Sequence, residues 1–169
     1  MKSPGLLLCG VLWAAAAGAA ESAPAPCASA EHRQFDFFAG DWDTFDMEAP
    51  AKVVARNRVT PMVGGCALRE VYEGADGLQG ESFSTYDVGR GVWHQSWVTN
   101  RGQLLLLDGK LEGPRMVFRA VEKTPAGEVL WRAVWWPEGP AVRETAERSL
   151  DGGKTWKPAF DIVFRKHAP

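Results

Sequence analysis

Charge imbalance is what this chain most plainly lacks. Nineteen Lys and Arg stand against 21 Asp and Glu, a formal net charge of −2. A nucleic-acid binder normally carries a basic stripe and a polybasic membrane-surface protein a cationic cluster, so this balance argues against both. Long apolar runs are also scarce. The longest, residues 6–17, is short of the ~20 residues that a spanning helix needs. The chain has three cysteines and three histidines, and neither set has zinc-ligand spacing. Nucleophile elbow, paired-His helix and glycine-rich phosphate loop are missing from the sequence, which leaves no familiar catalytic motif to build on. Helical periodicity is confined to a turn near residues 31–38, and there are no internal repeats.

Turn formers and aromatics are plentiful by contrast. Eighteen Gly and eleven Pro imply many turns between short elements. A hydrophobic fraction of 46% suffices for one core at this length. Eight Trp is high. At the N-terminus, Lys2 precedes the apolar run, and Ala17-Gly18-Ala19 fits a small-residue cleavage site. Residues 1–19 therefore read as a signal peptide, and the expected address is periplasmic or secreted, with no stable membrane anchor. Residues 20–33, rich in Ala, Pro and Ser, read as a flexible leader, and residues 34–169 as a single domain. Cys27 and Cys66 remain after cleavage. They form either a disulfide or two free thiols; an oxidising compartment and the even count favour the bridge.

Beyond the leader, apolar residues alternate with polar ones between explicit turns. Strands are expected at 42–48, 53–62, 67–73, 79–88, 91–98, 103–111, 115–123, 129–136, 142–149 and 156–166. About ten strands joined by short connections predict an all-β, antiparallel up-and-down barrel. Leu68, Glu70 and Tyr72 share a strand face, as do Trp93, Gln95 and Trp97, and Trp131, Ala133 and Trp135. Four tryptophans therefore line one interior, which either fills the barrel or walls a ligand pocket. His94 has the opposite parity to Trp93 and Trp97. Its alternatives are a surface residue satisfied by a neighbour, a general base or a haem ligand.

Gly40-x-Trp42, just before the first strand, resembles the Gly-x-Trp signature of lipocalins and other calycin barrels. In those barrels the Trp closes the base and a basic side chain from the last strand lies across it. The resemblance gives that part to Arg165, or to Lys166 if strand parity prevails. The wider pattern looks like a family of secreted bacterial lipocalin-like proteins, a domain of unknown function. It rests on Phe35-Asp36-Phe37-Phe38-x-Gly40-x-Trp42, Gly64-Gly65-Cys66-Ala67-Leu68-Arg69-Glu70, Trp93-His94-Gln95-Ser96-Trp97 and the stretch from Ser149 to Trp156. The resemblance implies a calycin-type barrel and brings no established reaction. Ser149-x-Asp151-x-Gly153-x-Thr155-Trp156 also matches the Asp-box turn of sialidases. A single copy builds no propeller and reads as a structural hairpin turn held by Asp151 over Trp156.

Together these readings predict a secreted barrel that binds a small apolar or amphipathic ligand. Trp93, Trp97, Trp131 and Trp135 supply its walls; Glu70, Tyr72, Gln95, Arg143 and Glu147 orient a polar end. Turning Arg143 and Glu147 inward rests on the family resemblance. The opposite face of that strand offers Val142, Glu144, Ala146 and Arg148, and alternating surface charge is the commoner meaning of such a string. Two alternatives stand beside this one: an enzyme using Glu70 or Glu147 as acid or base, and a filled structural barrel. No cofactor is expected, and oligomeric state is open.

Overall fold

A computed structural model describes residues 26–168 of the protein. The expected signal peptide lies outside them. Ten strands follow in order: β1 (Gly40–Asp46), β2 (Val53–Met62), β3 (Ala67–Gly74), β4 (Gln79–Asp87), β5 (Val92–Thr99), β6 (Leu104–Glu112), β7 (Arg115–Thr124), β8 (Gly127–Glu138), β9 (Ala141–Ser149) and β10 (Lys157–Lys166). Each pairs antiparallel with the next, and β10 returns to β1 to close the barrel. This is the all-β up-and-down barrel the alternation predicts, consistent with a calycin-type architecture. Closure leaves no free sheet edge. The inward set alternates as the pleat requires: Leu68 and Glu70 on β3, Ser82 and Ser84 on β4, Trp93 and Gln95 on β5, Val142, Glu144 and Ala146 on β9 are all buried. A bulge at Thr44/Phe45 shifts the β1–β2 register, and Val53, whose parity predicts an inward side chain, is 43% exposed.

One end of the barrel is plugged. Two short 3-10 turns, Glu31–Arg33 and Asp36–Phe38, precede β1. Phe35 and Phe38 drop from them into the core and are almost completely buried. Phe35 packs within 5.3–5.8 Å, ring to ring, of Phe37, Phe38, Trp93, Phe118 and Trp135. Gln34 accepts a hydrogen bond from the Trp93 indole at 3.2 Å, and His32 meets Tyr86 edge-on. Cys27 and Cys66 form the expected disulfide. Of the segment read as a flexible leader, residues 27–33 are tied to the barrel by this bridge and by the buried His32, while most of their side chains stay exposed. The anchoring comes from the expected bridge to Cys66 and from Phe35, just past this segment, which fills an aromatic well.

Trp42 seals the same end. It is 2% exposed and donates its indole N–H to the Phe38 carbonyl at 3.0 Å. Lys166, its cross-strand neighbour, places Nζ 3.6 Å from the ring centroid. Arg165, one of the two residues expected there, points the other way, over Phe45 and toward the Pro50 carbonyl. Parity decides the matter, since adjacent residues on a strand face opposite sides. Gly40 has a local reason as well: a Cβ there would lie 2.5 Å from the Trp42 ring and 2.6 Å from Lys166 Nζ.

Candidate functional site

Above the aromatic plug the lumen turns polar. Glu70 projects inward from β3 and accepts hydrogen bonds from Asn57 Nδ2 at 3.0 Å and from Ser82 Oγ at 2.7 Å. Gln95 donates to Ser84 Oγ at 3.1 Å and extends the belt along β4 and β5. Glu144 enters from β9, across the strand ladder from Trp135 and Ile162. Both carboxyls are 8% exposed. Among the described residues, no ion pair includes either of them, although Asp and Glu on the outer wall are widely paired with Arg.

Burial without a cation has a predictable electrostatic result. Desolvation raises the Glu70 carboxyl above its ordinary range, and its two hydrogen-bond donors only partly oppose this. Glu144 is raised well above its ordinary value, first by desolvation and then by the charge of Glu70. The Trp135 indole faces Glu144 but falls short of a formed hydrogen bond, and its buried N–H has no partner. Burial thus pushes both carboxyls toward their protonated forms, Glu144 further than Glu70. Tyr72, inward on β3, has its hydroxyl pushed up to about 12 by burial and then by the nearby Glu144, Asp76 and Glu70 charges. Two more buried atoms in the described lumen lack partners, Thr44 Oγ1 and Asn57 Oδ1. Leaving such atoms unsatisfied costs about 1–3 kcal/mol each, so a cluster of them needs an explanation.

The predicted aromatics divide between two levels. Trp93 and Trp135 are buried in the plug. Trp97 and Trp131 are only partly buried and sit farther along the lumen, toward the opposite mouth. Trp97 meets Tyr72 edge-on at 6.0 Å, and its ring edge occupies the place of a Cβ at Gly80. Trp131 donates its indole N–H to Glu122 at 2.8 Å. The four tryptophans do not line one open pocket: two fill the base and two stand near the mouth.

Arg143 and Glu147 are corrected outright, because they face outward. Arg143 grips Asp161 through two hydrogen bonds of 2.5 and 2.8 Å, and Glu147 pairs with Arg132. The β9 alternation buries Val142, Glu144 and Ala146 instead. Glu144, on the face that the sequence left as the alternative, is the acid that enters the lumen. Its flanking pair, Val142 and Ala146, carried the signal, since both are apolar and share its face.

His94 lies on the outer wall, with its two ring nitrogens engaged by Asp108 at 2.8 Å and Ser96 at 3.1 Å. The Asp-box segment is a structural turn. Asp151 accepts from Thr155 Oγ1 and from the Thr155 amide, Gly153 donates its amide to Ser149 Oγ, and Gly152 and Gly153 take positive φ. Trp156 packs beneath the Arg132 guanidinium. A hollow of about 420 Å³ lies on this outer wall, bordered by Leu106, Val121, Trp131 and Trp156. The charged side chains around it already have partners. The lumen carries the unsatisfied polar atoms, and for that reason it is the stronger candidate site. In comparisons with protein-family models and with curated proteins, nothing matches this chain.

Proposed function

We propose that this protein is a secreted or periplasmic barrel that binds a small amphipathic ligand in its lumen, on the side away from the Phe35–Phe38 plug. One observation carries the reading: three buried polar atoms without partners, on Thr44, Asn57 and Trp135, share the barrel interior with two unpaired carboxyls. Trp97 and Tyr72 would flank the ligand's apolar body, while Glu70, Glu144 and Gln95 would engage its polar end. The plug fixes one closed end, so entry is from the mouth near Trp131 and Phe160. The Cys27–Cys66 bridge suits a non-reducing compartment. No helix among the described residues is long and apolar enough to cross a membrane. The Gly-x-Trp corner with Lys166 laid over Trp42 supports kinship with calycin barrels.

The test is a native mass spectrum of the protein purified gently from its own compartment. The expected result is a discrete non-covalent adduct that disappears on denaturation. A bare mass, joined to a lack of saturable binding of any single-chain amphiphile, would refute the reading. A second reading draws on the same pair. Two carboxyls whose environments raise them to different extents are equipped for acid–base work. Turnover of a bound ligand that Glu70→Gln abolishes would establish it.

A further inference from the structure

We propose that the ligand carries a protonated amine on an apolar body, with the ammonium seated between Glu70 and Glu144. The inference rests on the ligand-binding reading above and specifies the chemistry of that same site. Its first support is charge. Glu70 and Glu144 reach one lumen from β3 and β9, each 8% exposed, and no cation among the described residues pairs with either. Elsewhere in the barrel buried or half-buried acids have guanidinium partners, as Asp43 has Arg56 and Asp161 has Arg143. A buried carboxylate without a counter-charge is strongly unfavourable, and a bound cation removes the penalty.

The second support is independent of charge. Asn57 spends Nδ2 on Glu70, which leaves its fully buried Oδ1 as an acceptor with no donor. Thr44 Oγ1 is likewise fully buried and unpartnered. The unpartnered donor, Trp135 Nε1, faces Glu144, so what the site leaves to a ligand is acceptors: two carboxyls and the Asn57 amide oxygen. An alkylammonium presents three N–H donors and no acceptor, which matches that set. A carboxylate or phosphate would place acceptor against acceptor and negative charge against Glu70. A neutral alcohol brings a single donor. Aromatic rings complete the fit. Tyr72 and Trp97 stand together beside the carboxyls, and ring faces attract cations. Amphipathicity follows from the surroundings, because Trp97, Leu105 and Ile162 pack along the same lumen.

Binding a cation here has a chemical consequence. Burial pushes Glu144 toward its protonated form, and an arriving ammonium favours the carboxylate, so the expected linkage is release of the Glu144 proton to the buffer while the amine keeps its own. The test compares octylammonium, octan-1-ol and octanoate, which share one tail, by calorimetric titration of the disulfide-intact protein at pH 7.5. The ammonium is expected to bind at least tenfold tighter than the alcohol, with octanoate weakest. Its heat should vary with the ionisation enthalpy of the buffer, in the sense of proton release. Glu144→Gln and Glu70→Gln should each weaken the ammonium tenfold or more and leave the alcohol within about twofold, which also shows that the variants fold. Equal or tighter binding of the alcohol or the carboxylate would overturn the amine inference and leave the ligand-binding reading standing. Absence of saturable binding by all three would overturn both.

Discussion

Replacing Phe35 with Ala removes the centre of the plug. The ring is 0% exposed and touches five other aromatic rings. Two contributions set the magnitude. Burial of a phenyl side chain is worth ~1.5–3 kcal/mol. The hole left behind, close to 100 Å³, adds about 2 kcal/mol at ~24 cal/mol per Å³ if its walls hold still. Partial collapse trims the total to about 4 kcal/mol, inside the range usual for Phe→Ala in cores. At roughly 3 °C per kcal/mol for a domain of this size, the melting temperature should fall by about 12 °C. Phe37→Ala is the matched control. Phe37 only partly buries its ring against the core, so its loss should cost about 1–2 kcal/mol. Both values come from urea unfolding followed by tryptophan emission, with the disulfide intact. A cost below about 1 kcal/mol at Phe35 would refute the claim that the segment before β1 is part of the core, and with it the assignment of a closed end.

The lumen carboxyls predict an unusual pH profile. Glu144 binds its proton more tightly in the folded state than at its ordinary value of 4.5. Its favourable contribution is therefore fully present below about pH 4.5 and is lost as pH rises through the raised folded value. Glu70 acts in the same direction, Tyr72 faces both as a neutral phenol, and Trp135 and Ile162 on the adjoining strands carry no charge. Glu144→Gln should hence stabilise the ligand-free protein at pH 8 and do little at pH 4; urea midpoints at the two values check this, and a loss at pH 8 contradicts it. Asp151 runs the opposite way. Thr155 and Ser149 lower its carboxyl to about 2, so its contribution is present above its ordinary value of 3.8 and fades as pH falls toward 2. Asp151→Asn should therefore lower the thermal midpoint at pH 6 and converge with the parent near pH 2. The disulfide closes a span of 39 residues, which the chain-entropy relation values at about 4 kcal/mol. Reductant should lower the urea midpoint accordingly, and an unchanged midpoint would show that the plug holds without the bridge.

Strand order was legible because alternation and turn chemistry agree in this chain. Segment 53–62 coincides with β2, and the other expected strands differ from the observed ones by one or two residues at either end. Such agreement is a property of hairpin-connected sheets, whose signals are local. The plug was not legible, since it depends on partners far along the chain. Phe35 reaches Trp93, Phe118 and Trp135, whereas the Cys27–Cys66 bridge beside it was expected from the even cysteine count and the compartment. Inward orientation was legible on strands with one apolar face, as with Glu70, Tyr72 and Gln95. On β9 the pattern was weaker, because Arg143 and Glu147 alternate with Glu144 and Arg148, so charge is present on both faces. The small Ala146 and the single Val142 mark the inward face only faintly. The same faintness left Glu144 undecided as an inward residue. A basic side chain over Trp42 was expected from the resemblance, and parity chose Lys166 over Arg165.

The central claim is that ligand enters the lumen and not the hollow on the outer wall, and tryptophan indole N–H resonances report this position by position. Trp97 stands along the lumen and Trp135, packed in the plug, turns its indole N–H toward Glu144, whereas Trp136 stacks against Arg115 on the outer wall and Trp156 borders the outer hollow. In a ¹⁵N–¹H titration with octylammonium, the Trp97 and Trp135 indole signals should shift saturably while those of Trp136 and Trp156 stay in place. Saturable shifts confined to Trp136 or Trp156 would move the binding site to the outer wall and contradict the account.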